Sequence, residues 1–317
     1  MKKVISLLIF LVIAIACERS IDTLGPDLTD VFGPFTVFEQ FDASRSNVDF
    51  SAGESVEFTC VFSKQVNWEI HIVGQKSGAE KVLTGFTNSI TPDLGGLWNG
   101  STTSLPMFKL EQCMAYVLVN DVDTTFSDTI YNITVSGVRD VNSFIVTDFN
   151  NGLNPGFNRF VQSGADMRFD TITDPTGAEG VAYYEMSGEV TFADDLGNIS
   201  MPKSAFTDTS FTLSSNDQNV FFNVFAKKGP QAVSDIFVFQ FIEDDNDVHE
   251  YVFQGLSQDW EQFSIAYADL TTTNSAGGGE KNPDKLMRIV MLPIGIKQPF
   301  QGFVDYIVFT ENGPLEP

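Results

Sequence analysis

Hydrophobic positions in this chain recur at every second residue, in short runs divided by turn residues. Ser55-Val56-Glu57-Phe58-Thr59-Cys60, Asn67-Trp68-Glu69-Ile70-His71-Ile72-Val73 and Tyr131-Asn132-Ile133-Thr134-Val135 all alternate in this way. Ala52-Gly53-Glu54, the stretch from Gly74 to Gly78 and Leu94-Gly95-Gly96 stand between them. A period of two puts alternate side chains on opposite faces of a strand, and no run here repeats at the helical period of 3.6. Residues 41–137 therefore predict a small β-sandwich. Residues 138–317 predict a second β unit, with strands at Val181 to Gly188, Asn219 to Ala226, Asp235 to Glu243, His249 to Gln254, Gln262 to Tyr267, Leu286 to Leu292 and Gly302 to Thr310. Gly277-Gly278-Gly279 and Pro283 mark a long loop in it. Antiparallel strands of this number and length suit a jelly roll. The expected fold class is all-β in two units.

The first 40 residues follow another pattern. Lys2 and Lys3 precede an apolar run from Val4 to Ile13, and Ala14-Ile15-Ala16-Cys17 puts small residues before a cysteine. The run is short for a permanent span and ends at a processing site, as in a signal peptide. A cysteine at that point resembles the lipobox of bacterial lipoproteins, in which the new N-terminal Cys is diacylated. The resemblance implies removal of residues 1–16 and a lipid anchor on Cys17 as the only membrane attachment. Residues 17–40 carry Gly25-Pro26 and Gly33-Pro34 without a sustained period, which suits a tether.

Export bears on the remaining cysteines. Cys60 and Cys113 each lie in a strand-like stretch, and an oxidising envelope permits either a bridge or two buried thiols. With Trp68 between them they resemble the Cys…Trp…Cys arrangement of immunoglobulin sandwiches, although no Tyr stands two residues before Cys113. Residues 41–137 as a whole resemble the immunoglobulin-like or PKD-like spacer modules of exported bacterial proteins.

Charge narrows the partners. The 317 residues include 18 Lys+Arg against 42 Asp+Glu, a formal net charge of −24. Phosphate binding needs clustered cations, so nucleic acid is disfavoured, as is an electrostatic grip on anionic lipid. Two His exclude a multi-histidine metal centre. Of the acids, 26 lie in residues 138–317 against 10 basic residues, which favours a neutral ligand over an anionic one there.

The second unit resembles the carbohydrate-binding jelly rolls of the galactose-binding-like superfamily. Thr147-Asp148-Phe149-Asn150 matches an opening "Asp-Phe-Glu" strand, and Thr176-Gly177-Ala178-Glu179-Gly180-Val181-Ala182-Tyr183-Tyr184 a Gly-containing turn and strand. Asn219 to Phe225 and Ile236 to Glu243 form a central strand pair. Trp260-Glu261-Gln262-Phe263-Ser264-Ile265 matches "Trp-x-x-Phe-x-Ile". Gly302-Phe303-Val304-Asp305-Tyr306-Ile307-Val308-Phe309 matches the closing strand, with Tyr306 where Asn is usual. Lipobox, tether, small sandwich and jelly roll together resemble the surface glycan-binding lipoproteins of Bacteroidetes polysaccharide utilisation systems. That resemblance implies a non-catalytic outer-membrane lipoprotein at the cell surface, which captures polysaccharide beside a glycan transporter complex. The alternatives are an envelope glycoside hydrolase or polysaccharide lyase on the same fold, and a structural or adhesion lipoprotein.

Site residues follow from that frame. The resemblance implies one structural Ca²⁺ held by Asp148 and Asp305 with carbonyls completing the shell; the bland alternative is two solvated strand-end acids. The run Glu243-Asp244-Asp245-Asn246-Asp247 lacks the Gly of a calcium loop and reads as a charged hairpin turn. Sugar binding needs aromatic faces and planar polar groups. Asn223 and Gln240 interrupt otherwise apolar strand faces and are expected to line a cleft, with Tyr183 and Tyr251 as its aromatic platform. Trp98, on a Gly-rich loop, is a second sugar contact or a plug at the sandwich end. Glu69-Ile70-His71 is close to the "Gln-Ile-His" of jelly-roll alginate lyases but lacks its partner motif. The acidic run misses the last carboxylate of laminarinase-type hydrolases at Val248.

Overall fold

The computed structural model describes residues 33–121, 124–190, 193–296 and 299–317; the signal segment, Cys17 and most of the tether lie outside the described residues. Alternation becomes strand throughout. The first unit contains β1 (Val37–Ala43), β2 (Asn47–Asp49), β3 (Val56–Gly74), β4 (Glu80–Ile90), β5 (Leu97–Trp98), β6 (Gln112–Asp121) and β7 (Thr124–Gly137). The second contains β8 (Phe144–Thr147), β9 (Asn158–Val161), β10 (Ala165–Thr173), β11 (Ala182–Val190), β12 (Ala193–Asp195), β13 (Gly197–Pro202), β14 (Val220–Lys228), β15 (Ile236–Glu243), β16 (Asp247–Phe253), β17 (Glu261–Ala266), β18 (Thr271–Ser275), β19 (Leu286–Ile296) and β20 (Phe300–Glu311). Short 3₁₀ turns interrupt the strands, and no α-helix occurs among the described residues. The chain is all-β.

In the first unit, two expected strands fuse into the 19-residue β3. Its N-terminal part pairs with β1 and β5, and its C-terminal part with β4 and β6. A register shift between Val61 and Val66 marks the bulge where β3 changes partners. One strand thus joins all of these partners in a single sheet over a core of Phe41, Phe58, Phe62, Trp68, Ile70 and Val117. β1 starts inside the stretch read as tether, because Phe35 and Val37 find cover on that core. Cys60 and Cys113 are buried free thiols, and burial pushes the Cys60 thiol up to about 11.

The second unit is a jelly roll of two antiparallel sheets. One runs β10-β11-β20-β14-β17, with β8 added on β20; the other runs β18-β16-β15-β19-β13-β9, with β12 added on β19. Each contributes alternate residues to the core, so Phe222 of β14 meets Phe239 and Phe241 of β15 at ring-centroid distances of 5.1 and 4.8 Å. Burial of such rings is the main stabilising term, at roughly 25 cal/mol per Å² of apolar surface. The β15–β16 turn is the expected hairpin, with Asn246 at φ 68°. Its flanking acids turn inward instead of to solvent: Glu243 accepts from Tyr267 Oη, and Asp247 from the N–H groups of Gly277 and Gly279.

The two units touch through a small apolar cluster in which Leu105 and Met107 pack against Ala178, Phe225, Tyr306 and Leu315. Backbone bonds run across it, from Met107 N–H to Ala178 O (2.8 Å) and from Thr102 N–H to Pro317 O (3.0 Å). This contact covers part of the outer face of the β10–β17 sheet. On the other sheet, outer-face residues such as Val238 and Val252 are half-exposed or exposed among the described residues.

Candidate functional site

The residues singled out for sugar contact do not converge. Asn223 is fully buried: Nδ2 donates to Phe221 O and Thr310 Oγ1, while Oδ1 accepts from Ser264 Oγ and the Leu315 N–H. It staples the C-terminal tail to the sheet and has no bond left for a ligand. Gln240 lies on the outer face of the opposite sheet, where Nε2 donates to Glu250 Oε2 at 3.3 Å. Tyr251 points to the core side and packs its ring on Phe253 at 4.8 Å. Trp98 takes the plugging role: it is fully buried between Phe50 and Phe108, with Nε1 donating to Ser101 O. Period two assigns a side chain to one of two faces, but not the sheet that the face belongs to.

Tyr183 stands two residues along β11 from Glu185, which lines a ligand-sized depression, yet it is only 6% exposed. Its ring stands edge-on to Trp260 and Phe303 at 5.2 and 5.5 Å. The Lys227 ammonium sits over all three rings, 4.6 Å from Trp260, 5.3 Å from Phe303 and 5.4 Å from Tyr183. Cation–π attraction holds such a cage together. Burial lowers the Lys227 pKa, and Asp174, Asp259 and Asp305 oppose that shift. Tyr183 is thus a wall of the cage and not an open platform, its hydroxyl pushed up to about 12 by burial.

Beside the cage runs a polar groove. Antiparallel register sets Arg168 opposite Ser187 and Asp170 opposite Glu185. Ser187 then stands opposite Gln301, Glu185 opposite Phe303, and Phe303 opposite Lys227. Two rows therefore cross the outer face: Arg168–Ser187–Gln301 and Asp170–Glu185–Phe303–Lys227. Directly opposed Cβ atoms lie ~4.5–5.5 Å apart, so neighbouring groups in a row act on one ligand. Gln301 Nε2 donates to Glu185 Oε1 at 2.8 Å, which fixes both planar groups. The loop after β14 forms the far wall: Gly229 N–H donates to Gln301 O, and Gln231 N–H to Gln301 Oε1. A Cβ on Gly229 would stand 2.3 Å from Gln301 Cγ, so this close approach needs glycine. The resulting cavity of about 320 Å³ is lined by Asp166, Arg168, Glu185, Ser187, Gln231 and Gln301.

Such a lining carries a guanidinium that only donates, carboxylates that only accept and amides that do both. Sugar hydroxyls donate and accept together, and pairs on adjacent carbons match planar two-point partners. Partly exposed Phe303 and Trp260 add apolar surface at the cage end. β10, which supplies Asp166, Arg168 and Asp170, was absent from the expected strands. Its signal is nevertheless present, since Met167, Phe169 and Thr171 alternate with those polar residues after Gly164.

Asp148 and Asp305, as they stand, do not fit a calcium shell of ~6–8 oxygens. Asp305 is fully buried, with Oδ2 accepting the Glu179 N–H and Oδ1 the Tyr306 N–H, both at 2.8 Å. Asp148 caps its own turn by accepting the Asn150 N–H. Asn150 in turn donates to Glu179 Oε2 and accepts the Val181 N–H. No group of three or more His, Cys, Asp or Glu side chains suited to a metal occurs among the described residues. Burial pushes Glu179 up to about 7 and Asp305 well above the usual carboxylate range. The Lys109 ammonium opposes both shifts, and Asp305 acts on Lys227 as well.

No family model matches this sequence, and no curated protein matches it. Among solved structures the chain is similar to a carbohydrate-binding module of the β-sandwich superfamily, at 14% identity and a TM-score of 0.41, covering 90% of this chain and 100% of the other. It is similar as well to the family 11 carbohydrate-binding module of Clostridium thermocellum, seen in complex with a β-1,3-1,4-mixed-linked tetrasaccharide. There the identity is 13% and the TM-score 0.40, over 56% of this chain and 99% of the other. An exo-β-agarase matches at 9% identity and a TM-score of 0.40, over 55% of this chain and 26% of its own length. At these scores the likeness carries no conclusion about the ligand of this chain.

Proposed function

We propose that this protein binds polysaccharide without cleaving it, and that the groove on the β10–β11–β20 face is its binding surface. The observation that carries this reading is the pair of in-register rows, Arg168–Ser187–Gln301 and Asp170–Glu185–Phe303–Lys227. Their planar groups are preorganised by the Gln301–Glu185 bond, so a sugar meets them without first ordering them. Asp166 and Arg168 are exposed and Glu185, Ser187 and Gln301 half-exposed, so a polymer reaches them from solvent. Asp166, Asp170, Glu185 and Glu189 outnumber Arg168 and Lys227 around it, so a neutral glycan is preferred over an acidic one.

In the same reading, Cys17 carries the lipid that holds the protein to the outer membrane at the cell surface. There it retains polymer for a neighbouring glycan transporter, ahead of uptake and degradation. Single sugar contacts are weak, and retention comes from one polymer engaging several copies on one surface. Affinity electrophoresis of the soluble protein against β-glucans, mannans, xylans and alginate tests the proposal. The expected result is retardation by at least one neutral polymer with no new reducing ends. Release of product would make the protein an enzyme, and no retardation by any polymer would remove the glycan-binding reading.

A further inference from the structure

Lys109 is a charged side chain of the first unit that spends its charge in the second. It is 8% exposed and follows Phe108 in the segment between β5 and β6. Its own backbone N–H donates to Glu111 Oε1. The buried Glu111 carboxylate also accepts from Lys76 N–H, Ser77 N–H and Ser77 Oγ, so the first unit holds the root of the lysine firmly. The Nζ crosses to the turn before β11, donating to Pro175 O at 2.5 Å and Gly177 O at 2.9 Å. Four acids act on it: Asp305, Glu179, Glu111 and Asp174. Two of these, Asp305 and Glu179, belong to the bonded group that also contains Asn150.

The arrangement has the parts of a cation site, namely convergent backbone carbonyls with buried carboxylates behind them, and the cation is covalently attached to the other unit. An ammonium offers three donors and a compact charge, which suits a ring of oxygens. We propose that residues 174–181 and Asp305 form a cation socket in the jelly roll, filled by the tethered ammonium of Lys109, and that this plug docks the two units. The socket needs no metal while the lysine is in place. Emptying it leaves the Pro175 and Gly177 carbonyls without their donor and the acids behind them without this cation, and a free cation then has somewhere to go.

The test is thermal unfolding of the whole soluble chain in EDTA and in 1 mM CaCl₂, for the native sequence and for Lys109→Met. The native protein is expected to keep its midpoint within about 1 °C in both buffers. Removing one partner of a buried charge group is strongly destabilising, so Lys109→Met should lose roughly 5–10 °C in EDTA, of which calcium restores at least half. A native midpoint that climbs with calcium overturns the proposal, because a metal then occupies the socket beside the lysine. So does a variant as stable as the native chain, or one destabilised but blind to calcium. If Lys109→Met does not fold, Lys109→Gln replaces it, and the native arm decides in either case.

Discussion

The two outer faces of the jelly roll are built from the same kind of strand and present opposite chemistry. On the β15–β16–β19 face, Ile236, Val238, Ile242, Val248 and Leu292 stand half-exposed, Val252 is 46% exposed, and Gln240 with Glu250 forms one bonded polar pair among them. On the β10–β11–β20 face, Arg168, Asp170, Glu185, Ser187 and Gln301 stand in two rows with their planar groups turned outward. β15 is apolar on both sides, so one amide there interrupts a greasy surface without making a site. β10 and β11 alternate cleanly, and in-register neighbours multiply each polar position into a row. A ligand that trades water for protein hydrogen bonds needs the second arrangement, because isolated exchange gains only ~0.5–1.5 kcal/mol per bond.

The contrast breaks most readily through the groove. Arg168→Ala combined with Gln301→Ala should weaken retention of the bound polymer about a hundredfold, close to 3 kcal/mol, read from the polymer dependence of migration. Equal binding by that double variant would move the site off this face. Next comes pH, which separates folding from binding on the same sheet. Burial raises Glu179 to about 7 from an ordinary 4.5. The folded state keeps a proton that the unfolded chain has lost, so stability is fully present below pH 4.5 and falls as pH rises through 7. The loss should be roughly 3 kcal/mol in denaturant titrations, and Glu179→Gln should shrink it without altering retention, the raised Asp305 keeping the remainder. An unchanged slope in that variant would assign the pH dependence elsewhere.

Smaller effects complete the series. Lys227→Met removes the ammonium that orients Phe303 and Trp260, and should weaken binding about threefold. Gln240→Ala and Val252→Lys, both on the aliphatic face, should each change retention by less than twofold. A tenfold loss from either would exchange the roles of the two faces.

Much of the jelly roll is legible in the sequence. The strands expected at Asn219 to Ala226, Asp235 to Glu243 and Gly302 to Thr310 form within one or two residues, because Phe222, Phe239 and Phe309 repeat at the period that a shared core demands. β10 is harder to see, since as an edge strand it is half-exposed and carries five polar residues against four apolar ones. The site suffers most from this. Arg168 acquires meaning only when Ser187 and Gln301 stand beside it, and that register joins residues more than a hundred positions apart. Asn223 shows the converse: an amide in an apolar strand looks like a ligand contact until Thr310, Ser264 and Leu315 are seen to satisfy it. Lys109 is invisible in the same way, because its ammonium bonds Pro175 O and Gly177 O of the other unit.

The most direct test of the groove is hydroxyl-radical footprinting of the native protein with and without the neutral polymer that retards it. The expected outcome is protection of Phe303, Trp260 and Arg168 on the β10–β20 face, with Val238, Val252 and Leu292 labelled equally in both states. Protection of the aliphatic residues, with the groove residues unchanged, would contradict the account.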